Sequence, residues 1–474
     1  MKALTFGVIV TTRGFFPSHL VATAREQIGA LLAAKGYGAV MVGEADTQYG
    51  AVLTLEEAKT CARLFREHRD EIAGLICVLP NFGEELGVVE AIERAGLNVP
   101  VLVQACDDDY DRLDMANRRD AFCGKISLTN NLYQRGIPWT NTSTHTCALD
   151  GPAFAADVDR FAAICRVVAG LRGARIAQLG ARPLAFNTVR YSEKILQRYG
   201  ISVQPVDFSD VIAAADGFAD QARIAAKEAE IRGYGAIGDD VAAAKITRQA
   251  KLCLAMDGIV DGLECQASAV QCWDSVQNNY GCATCLGMSM MGERGKPSAC
   301  EVDVTGAVSM LAAGLAADAP PALMDWNNNV RQDPDRCVAL HCANFPKSFF
   351  QIPELEIGTL DVLGSTLGHE TTFGACKGQV APGPMTFLRC TTDDARGVMK
   401  AYVGEGEFTA EPVPTKGGVA SCHIPGLQDL LRYVCAHGFE HHVCFVRGHV
   451  ADILAEALGT YLGMDVHRHV AAAS

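Results

Sequence analysis

Basic clusters are missing from this sequence: 41 Lys and Arg face 55 Asp and Glu, for a formal charge of −14. No Lys/Arg block or stripe gathers the positive charge that does exist. A phosphate backbone would be repelled, which excludes nucleic acid as a partner. The chain also has no run of about 18 apolar residues, the length a helix needs to cross a bilayer, so no membrane partner is expected. The opening "MKALTFGVIVTTRGFF" has no small-residue cleavage site behind a long hydrophobic stretch, so the expected location is the cytoplasm. The first strand-like run leads into "TTRGFFP" without a G-x-G-x-x-G, and NAD is therefore not implied. Nineteen cysteines are scattered along the chain, and the one close pair, Cys282 and Cys285 in "CATC", has no second pair at zinc-site spacing. Reduced, buried thiols are expected rather than a disulfide framework.

What is present suits a large packed enzyme. At 474 residues, 49% hydrophobic and 20% charged, the chain can fill two or three cores. Over the first 150 residues, "LTFGVIV", "GAVMVGE", "IAGLICVLP" and "VPVLVQAC" alternate with helical patterns such as "LVATAREQIGALLAAKG", which predicts parallel βαβ units. A second α/β region follows the helix-like "GPAFAADVDRFAAICRVVAGL". It has strands at "ARIAQLG" and "ISVQPVDF", helices at "GFADQARIAAKEAEIRG" and "DDVAAAKITRQAKLCLAMDG", and a buried strand expected at "VDGLECQ". Beyond Pro346 the pattern turns to turn-rich strands and a final helix. The expected organisation is an N-terminal α/β domain over 1–168, a second over 169–346 and a β-rich domain over 347–474.

Chemistry concentrates at "SACEVDVTGAVSML". Asp303 stands where it would cap the following helix, with Glu301 favoured by the helix dipole. On the capping role alone, Asp303→Asn should cost little, because asparagine caps as well as aspartate. A further acid, Asp325, closes an apolar run in "PALMDW". "FEHHVCFVRGHV" offers His441, His442 and His449, of which only one of the adjacent pair can face a given site from a strand. His341 lies in the strand-like "CVALHCANFP". Two acids with one histidine make a hard, oxygen-rich site suited to Mn²⁺ or Mg²⁺.

These stretches resemble the L-fucose isomerase and L-arabinose isomerase superfamily. "ACEVDVTGAVSML" is similar to the segment carrying that family's metal-binding glutamate, and "LMDW" to the one carrying its aspartate, here 24 residues further on. "EHHVCFVRGHVADIL" is similar to the segment carrying its ligand histidine, whose counterpart is His442. The resemblance implies two Rossmann-like α/β domains followed by a β-rich, barrel-like C-terminal domain. It also implies a metal-dependent aldose–ketose isomerase working through a cis-enediol on a small sugar. Glu301, Asp325 and His442 would hold the cation, Mn²⁺ first with Mg²⁺ or Co²⁺ as alternatives. Glu301 and Asp325 would double as the acid/base pair, and His341 or Gln266 would orient a sugar hydroxyl. His341 is also similar to the arabinose-type histidine ligand, which leaves the sugar open. The family's sites are completed by a neighbouring subunit, implying a hexamer or tetramer. Arg13 and Phe15 are candidates for that cross-subunit wall, with Arg13 equally readable as a salt-bridge partner. A sugar-binding relative, or a metal-dependent epimerase or aldolase, are the alternative readings.

Overall fold

Five strands, β1 (Thr5–Val10), β2 (Gly38–Val40), β3 (Ile72–Leu79), β4 (Val101–Ala105) and β5 (Thr140–Asn141), pair in parallel in the order β2-β1-β3-β4-β5. They are near-continuous apolar runs because helices cover both faces of the sheet. Along β1, Phe6, Val8 and Val10 join the core on one face and Ile9 the core on the other, the two-residue alternation of a strand. The Leu55–Glu67 helix starts at a reciprocal cap: Thr54 accepts from the Glu57 N–H, while the Glu57 carboxylate accepts from the Thr54 N–H. The computed structural model describes residues 3–351 and 355–471, and the chain divides into two units, Met1–Ala169 and Gly170–Ser474.

The second unit holds a parallel sheet of β6 (Arg175–Leu179), β7 (Ser202–Val206), β9 (Ala267–Val270) and β10 (Ser298–Ala299) in the order β10-β9-β6-β7. The intervening β8 (Ala236–Ile237) joins the C-terminal sheet instead. The strand expected at "VDGLECQ" is not there. Val260–Gly262 ends the Ala243–Gly262 helix, Glu264 turns the chain at φ +54°, and β9 begins only at Ala267. A short apolar run reads the same whether it closes a buried helix or opens a strand.

The ten-stranded C-terminal sheet contains β8 and nine strands that follow β10. These are β11 (Ala322–Val330), β12 (Asp333–His341), β13 (Glu356–Thr359), β14 (Phe373–Gln379), β15 (Gly383–Asp393), β16 (Val398–Thr409), β17 (Gly418–His423), β18 (His442–Arg447) and β19 (Asp465–Arg468). The antiparallel pairings β16-β15-β18-β11-β12-β17 return to β16, so six strands form a closed circuit. Phe345, Phe349, Phe387, Phe408 and Phe445 share one apolar cluster with its side chains. The division expected near Pro346 falls between β12 and β13, both members of this sheet, because β11 and β12 pair with the distant β18 and β17. All nineteen cysteines are free, and all but Cys123, Cys342 and Cys435 are buried. No helix among the described residues is long and apolar enough to cross a membrane.

Glycine is required where the Ala121–Gln134 helix crosses the Phe82 carbonyl, since a Cβ on Gly124 would lie 1.6 Å from that oxygen. Gly124→Ala must push the helix off its seat and is expected to cost about 1–3 kcal/mol, the usual range for overpacking. Chemical unfolding of the N-terminal unit checks this, and a parent-like midpoint would refute the account of the contact.

Candidate metal centre and active site

Glu301 is placed by a strained turn. After β10 the chain passes through Glu301 at φ +54° and Val302 at φ +59°, a left-handed pair that is rare for a β-branched residue and costs about 1–3 kcal/mol per position. The turn is held by the Val302 N–H on the Val270 carbonyl (3.2 Å) and the Asp303 N–H on the Cys300 carbonyl (2.9 Å). It carries the Glu301 carboxylate beyond the carboxyl end of β10, where parallel sheets gather their ligand-binding groups. Trp273 donates its indole N–H to Glu301 Oε1 at 3.3 Å.

Asp325 and His442 meet through sheet register. They are direct partners in the antiparallel pair β11–β18, so their side chains leave the same face. His442 Nε2 lies 3.0 Å from Glu301 Oε2 and 3.5 Å from Asp325 Oδ1. His341, the last residue of β12, brings its Nε2 to 3.4 Å from Glu301 Oε2. All four residues expected at the centre of the site therefore converge.

The two imidazoles differ in tautomer. His442 Nδ1 lies 2.8 Å from Asp303 Oδ2, which makes Nδ1 the donor and turns Nε2 toward Glu301 and Asp325, where its lone pair is available once a cation takes the place of a proton. His341 Nδ1 instead accepts the Cys342 N–H at 2.8 Å, so its proton sits on Nε2. His442 is thus set up as a cation ligand and His341 as a hydrogen-bond donor.

The fit to a metal follows from the atoms left without partners. Glu301 Oε2 and Asp325 Oδ1 are buried oxygens with no hydrogen bond, and both face the lone pair of His442 Nε2. Glu301, His341 and His442 offer ligand atoms within 4.8 Å of one another, as do Asp325, His441 and His442, so the two acids are joined through His442. The 3.0 Å between Glu301 Oε2 and His442 Nε2 is what metal–ligand bonds of about 2.1 Å produce around one hard cation. Two carboxylates and one imidazole suit Mn²⁺, Mg²⁺ or Co²⁺. His441 approaches the same centre, its Nε2 3.6 Å from Asp325 Oδ1.

Behind the ligands lies a charge network. Asp303 and Arg389 are fully buried, and Glu440 nearly so. Arg389 donates to Asp303 Oδ1 and Thr305 Oγ1 through Nη2 (3.1 and 2.9 Å) and to Glu440 Oε2 through Nε (3.1 Å). Asp303 does cap the Val304–Ala317 helix, accepting the Gly306 N–H at 2.8 Å. A Cβ on Gly306 would sit 2.4 Å from Asp303 Oδ2, so glycine is needed there. Burial alone would raise the Asp303 carboxyl, but the Arg389 charge and the His442 hydrogen bond outweigh it and hold it well below the usual carboxylate range. Glu301 is likewise raised by burial and held low overall by His341 and His442. Burial pushes His442 down, while Asp303 and Glu301 push it up to about 9. The pocket thus holds a positive charge at this nitrogen, whether supplied by a proton or a cation.

Gln266 stands apart from this cluster. Gln266 precedes β9, at the opposite end of that strand from Trp273. It is exposed, and its side chain accepts the Arg175 N–H (2.8 Å) and donates to the Glu264 carbonyl (2.8 Å). It secures strand backbone at the end of β9 away from Trp273, and its apolar neighbourhood in sequence concealed which end of the strand it occupied. Arg13 belongs to the N-terminal unit, where it bonds to Glu84, Glu85 and the Gly83 carbonyl and lies 4.1 Å above the Phe82 ring. That is the salt-bridge reading of its role. His449 is exposed.

Other residues at the site carried little signal in the sequence. Phe186, in the loop after β6, sets its ring 5.5 Å from Trp273, 5.7 Å from His441 and 6.2 Å from His442. Only a lone arginine inside the apolar "FLRC" run marked Arg389 as a buried charge.

The expectation that Asp303→Asn is mild is overturned, because the capping bond is the smaller part of what this carboxylate does. An amide there leaves Arg389 short of charge in a dry core, where breaking a buried pair costs about 3–5 kcal/mol. Asp303→Asn should therefore unfold at markedly lower denaturant, and a ΔΔG below that of an ordinary cap substitution, about 1 kcal/mol, would contradict the network.

Residues 7–172 match the N-terminal domain family of fucose/sulfoquinovose isomerases, and residues 339–469 match the C-terminal domain family of L-fucose isomerase. Glu301 and Asp325 lie between the two matched segments. A sulfoquinovose isomerase from Alkalicoccus urumqiensis is 26% identical over 46% of this chain, a match that spans 49% of that protein's length. Sulfoquinovose isomerases from Priestia aryabhattai and Priestia megaterium are each 23% identical over 65% of this chain and 67% of their own. A solute binding protein of Burkholderia multivorans aligns over 68% of this chain and 95% of its own at 8% identity and a TM-score of 0.19, which carries no argument. With both family domains in their expected order along the sequence, the chain belongs to the L-fucose isomerase-like family of sugar isomerases.

Proposed function

We propose that this protein interconverts an aldose and the corresponding ketose, with Glu301 and Asp325 as the proton-transfer pair. The observation that carries the reading is the convergence of two unpartnered carboxylate oxygens on the free nitrogen of a histidine whose tautomer is fixed from behind. A divalent cation held by Glu301, Asp325 and His442 would supply Lewis-acid stabilisation of negative charge on the sugar's C1 and C2 oxygens.

The chain's own groups account for the rest of the chemistry. One carboxylate takes the proton from C2 and returns it to C1, and the other carries the hydroxyl proton between O2 and O1. Glu301 is almost fully enclosed and Asp325 keeps 24% of its side chain exposed, so Asp325 is the member nearer the entrance. His341 presents its Nε2–H toward a sugar oxygen. Asp303 keeps His442 from turning its protonated nitrogen into the site. Phe186 and Trp273 form an aromatic wall that excludes water and can lie against a sugar's C–H face.

The names of the matching families and relatives set the substrates to try first, L-fucose as a deoxy sugar and sulfoquinovose as a sulfonated one. The reading also carries a homo-oligomer with sites at subunit interfaces, two Rossmann-like units with a barrel-like third, and a cytoplasmic location.

Glu301→Gln and Asp325→Asn should each lower ketose formation by more than the 10²- to 10⁴-fold or so of a general acid/base step, since each also weakens the cation site. Solvent deuterium entering product should fall in parallel while the fold persists. Removing the cation with EDTA should abolish turnover and lower Tm, and Mn²⁺ should restore both as ligand in excess stabilises the state that binds it. Parent-like exchange in Glu301→Gln would end the proposal.

A further inference from the structure

Cys272 and Cys300 come from separate places, the residues after β9 and the residue after β10. Both are buried. The sulfurs of Cys272 and Cys300 and a carboxylate oxygen of Glu301 lie within 4.8 Å of one another. Among the described residues this is the only such three-ligand constellation that contains cysteine. A buried thiol ordinarily serves as a small apolar filler. Two of them within 4.8 Å of a buried carboxylate oxygen are a different environment, since apolar filler would not set polarisable sulfur against an ionised oxygen.

We infer that Cys272 and Cys300 form, with Glu301, a second cation site selective for thiophilic ions, which shares its carboxylate with the hard-ion site of Asp325 and His442. Two sulfurs and one oxygen supply three of the four positions of the tetrahedron that Zn²⁺ or Cd²⁺ takes, whereas Mn²⁺ and Mg²⁺ disfavour sulfur. On binding, the ion replaces the thiol protons of Cys272 and Cys300, both of which leave to solvent, and a water takes the fourth position. Glu301 cannot serve both sites with the same lone pairs. A thiophilic ion therefore draws Glu301 away from His442 and inhibits. Inhibition rests on the isomerase reading; binding does not.

The test uses Cd²⁺ alone as probe on the EDTA-treated full chain, with the exposed Cys123 and Cys435 replaced by serine as background. Thiolate-to-cadmium ultraviolet absorption should titrate a tight site. Cys272→Ser and Cys300→Ser, made separately, should each weaken it about 10- to 100-fold, the scale of losing a group that holds a metal. Cys337→Ala, at a thiol elsewhere in the C-terminal sheet, should leave it intact. In the Mn²⁺-loaded enzyme, Cd²⁺ should inhibit the background protein and inhibit both cluster variants correspondingly less. Cadmium absorption unchanged in both variants would overturn the site. Absorption lost with inhibition unchanged would overturn the sharing of Glu301. A chain without isomerase activity would leave the absorption result to decide the site, so the two proposals fail separately.

Discussion

A carboxylate with no access to water must be surrounded by donors, and Asp303 meets that demand from three directions at once. It accepts from the first turn of the Val304–Ala317 helix, from the Arg389 guanidinium on β15 and from the imidazole of His442 on β18. Removing water from an unpaired ion costs several kcal/mol, so the helix and both strands have their positions fixed relative to one another by this one group. The ring orientation of His442, the proton-free state of its Nε2 and the depth of the cation site all follow. Glu440 and Thr305 supply the remaining partners of Arg389, which keeps the guanidinium fork from competing for Glu301.

Strain and pre-organisation are linked at the next position. Two consecutive left-handed residues, Glu301 and Val302, would be unfavourable in a free peptide. They persist because Val302 is tied to β9, Asp303 is locked by Arg389, and both flanks are buried. The fold's stability thereby holds a carboxylate in a dry cavity facing a lone pair, an arrangement that local propensity opposes.

Much of this was legible before any coordinates. Periodicity located β1, β3, β4, β6 and the long helices, because a strand covered on both faces and an amphipathic helix leave strong patterns. The acids and the histidine were legible through the resemblance of their stretches to the isomerase family, since a helix start by itself suits a cap or a dipole partner equally well. Sequence could not show which atoms of His442 and His341 carry protons, since tautomer depends on partners more than a hundred residues away for His442 and on one backbone N–H for His341. Gln266 was misplaced because a strand's two ends look alike in one dimension. Asp303 was read through its nearest neighbours, and its larger role depends on Arg389, 86 positions later.

The register that pairs Asp325 with His442 joins residues 117 positions apart in the chain, across a sheet whose strands close on themselves. During synthesis, therefore, Glu301 and Asp325 are made long before the strand that carries His442. Until β18 inserts between β15 and β11, Asp325 has no His442 opposite it and the sheet has two open edges. Long-range closure of this kind is slow, and an open edge is where other chains add. The last strand of the closed circuit to be made is thus both the one that completes the cation site and the one that shields the nascent chain from aggregation.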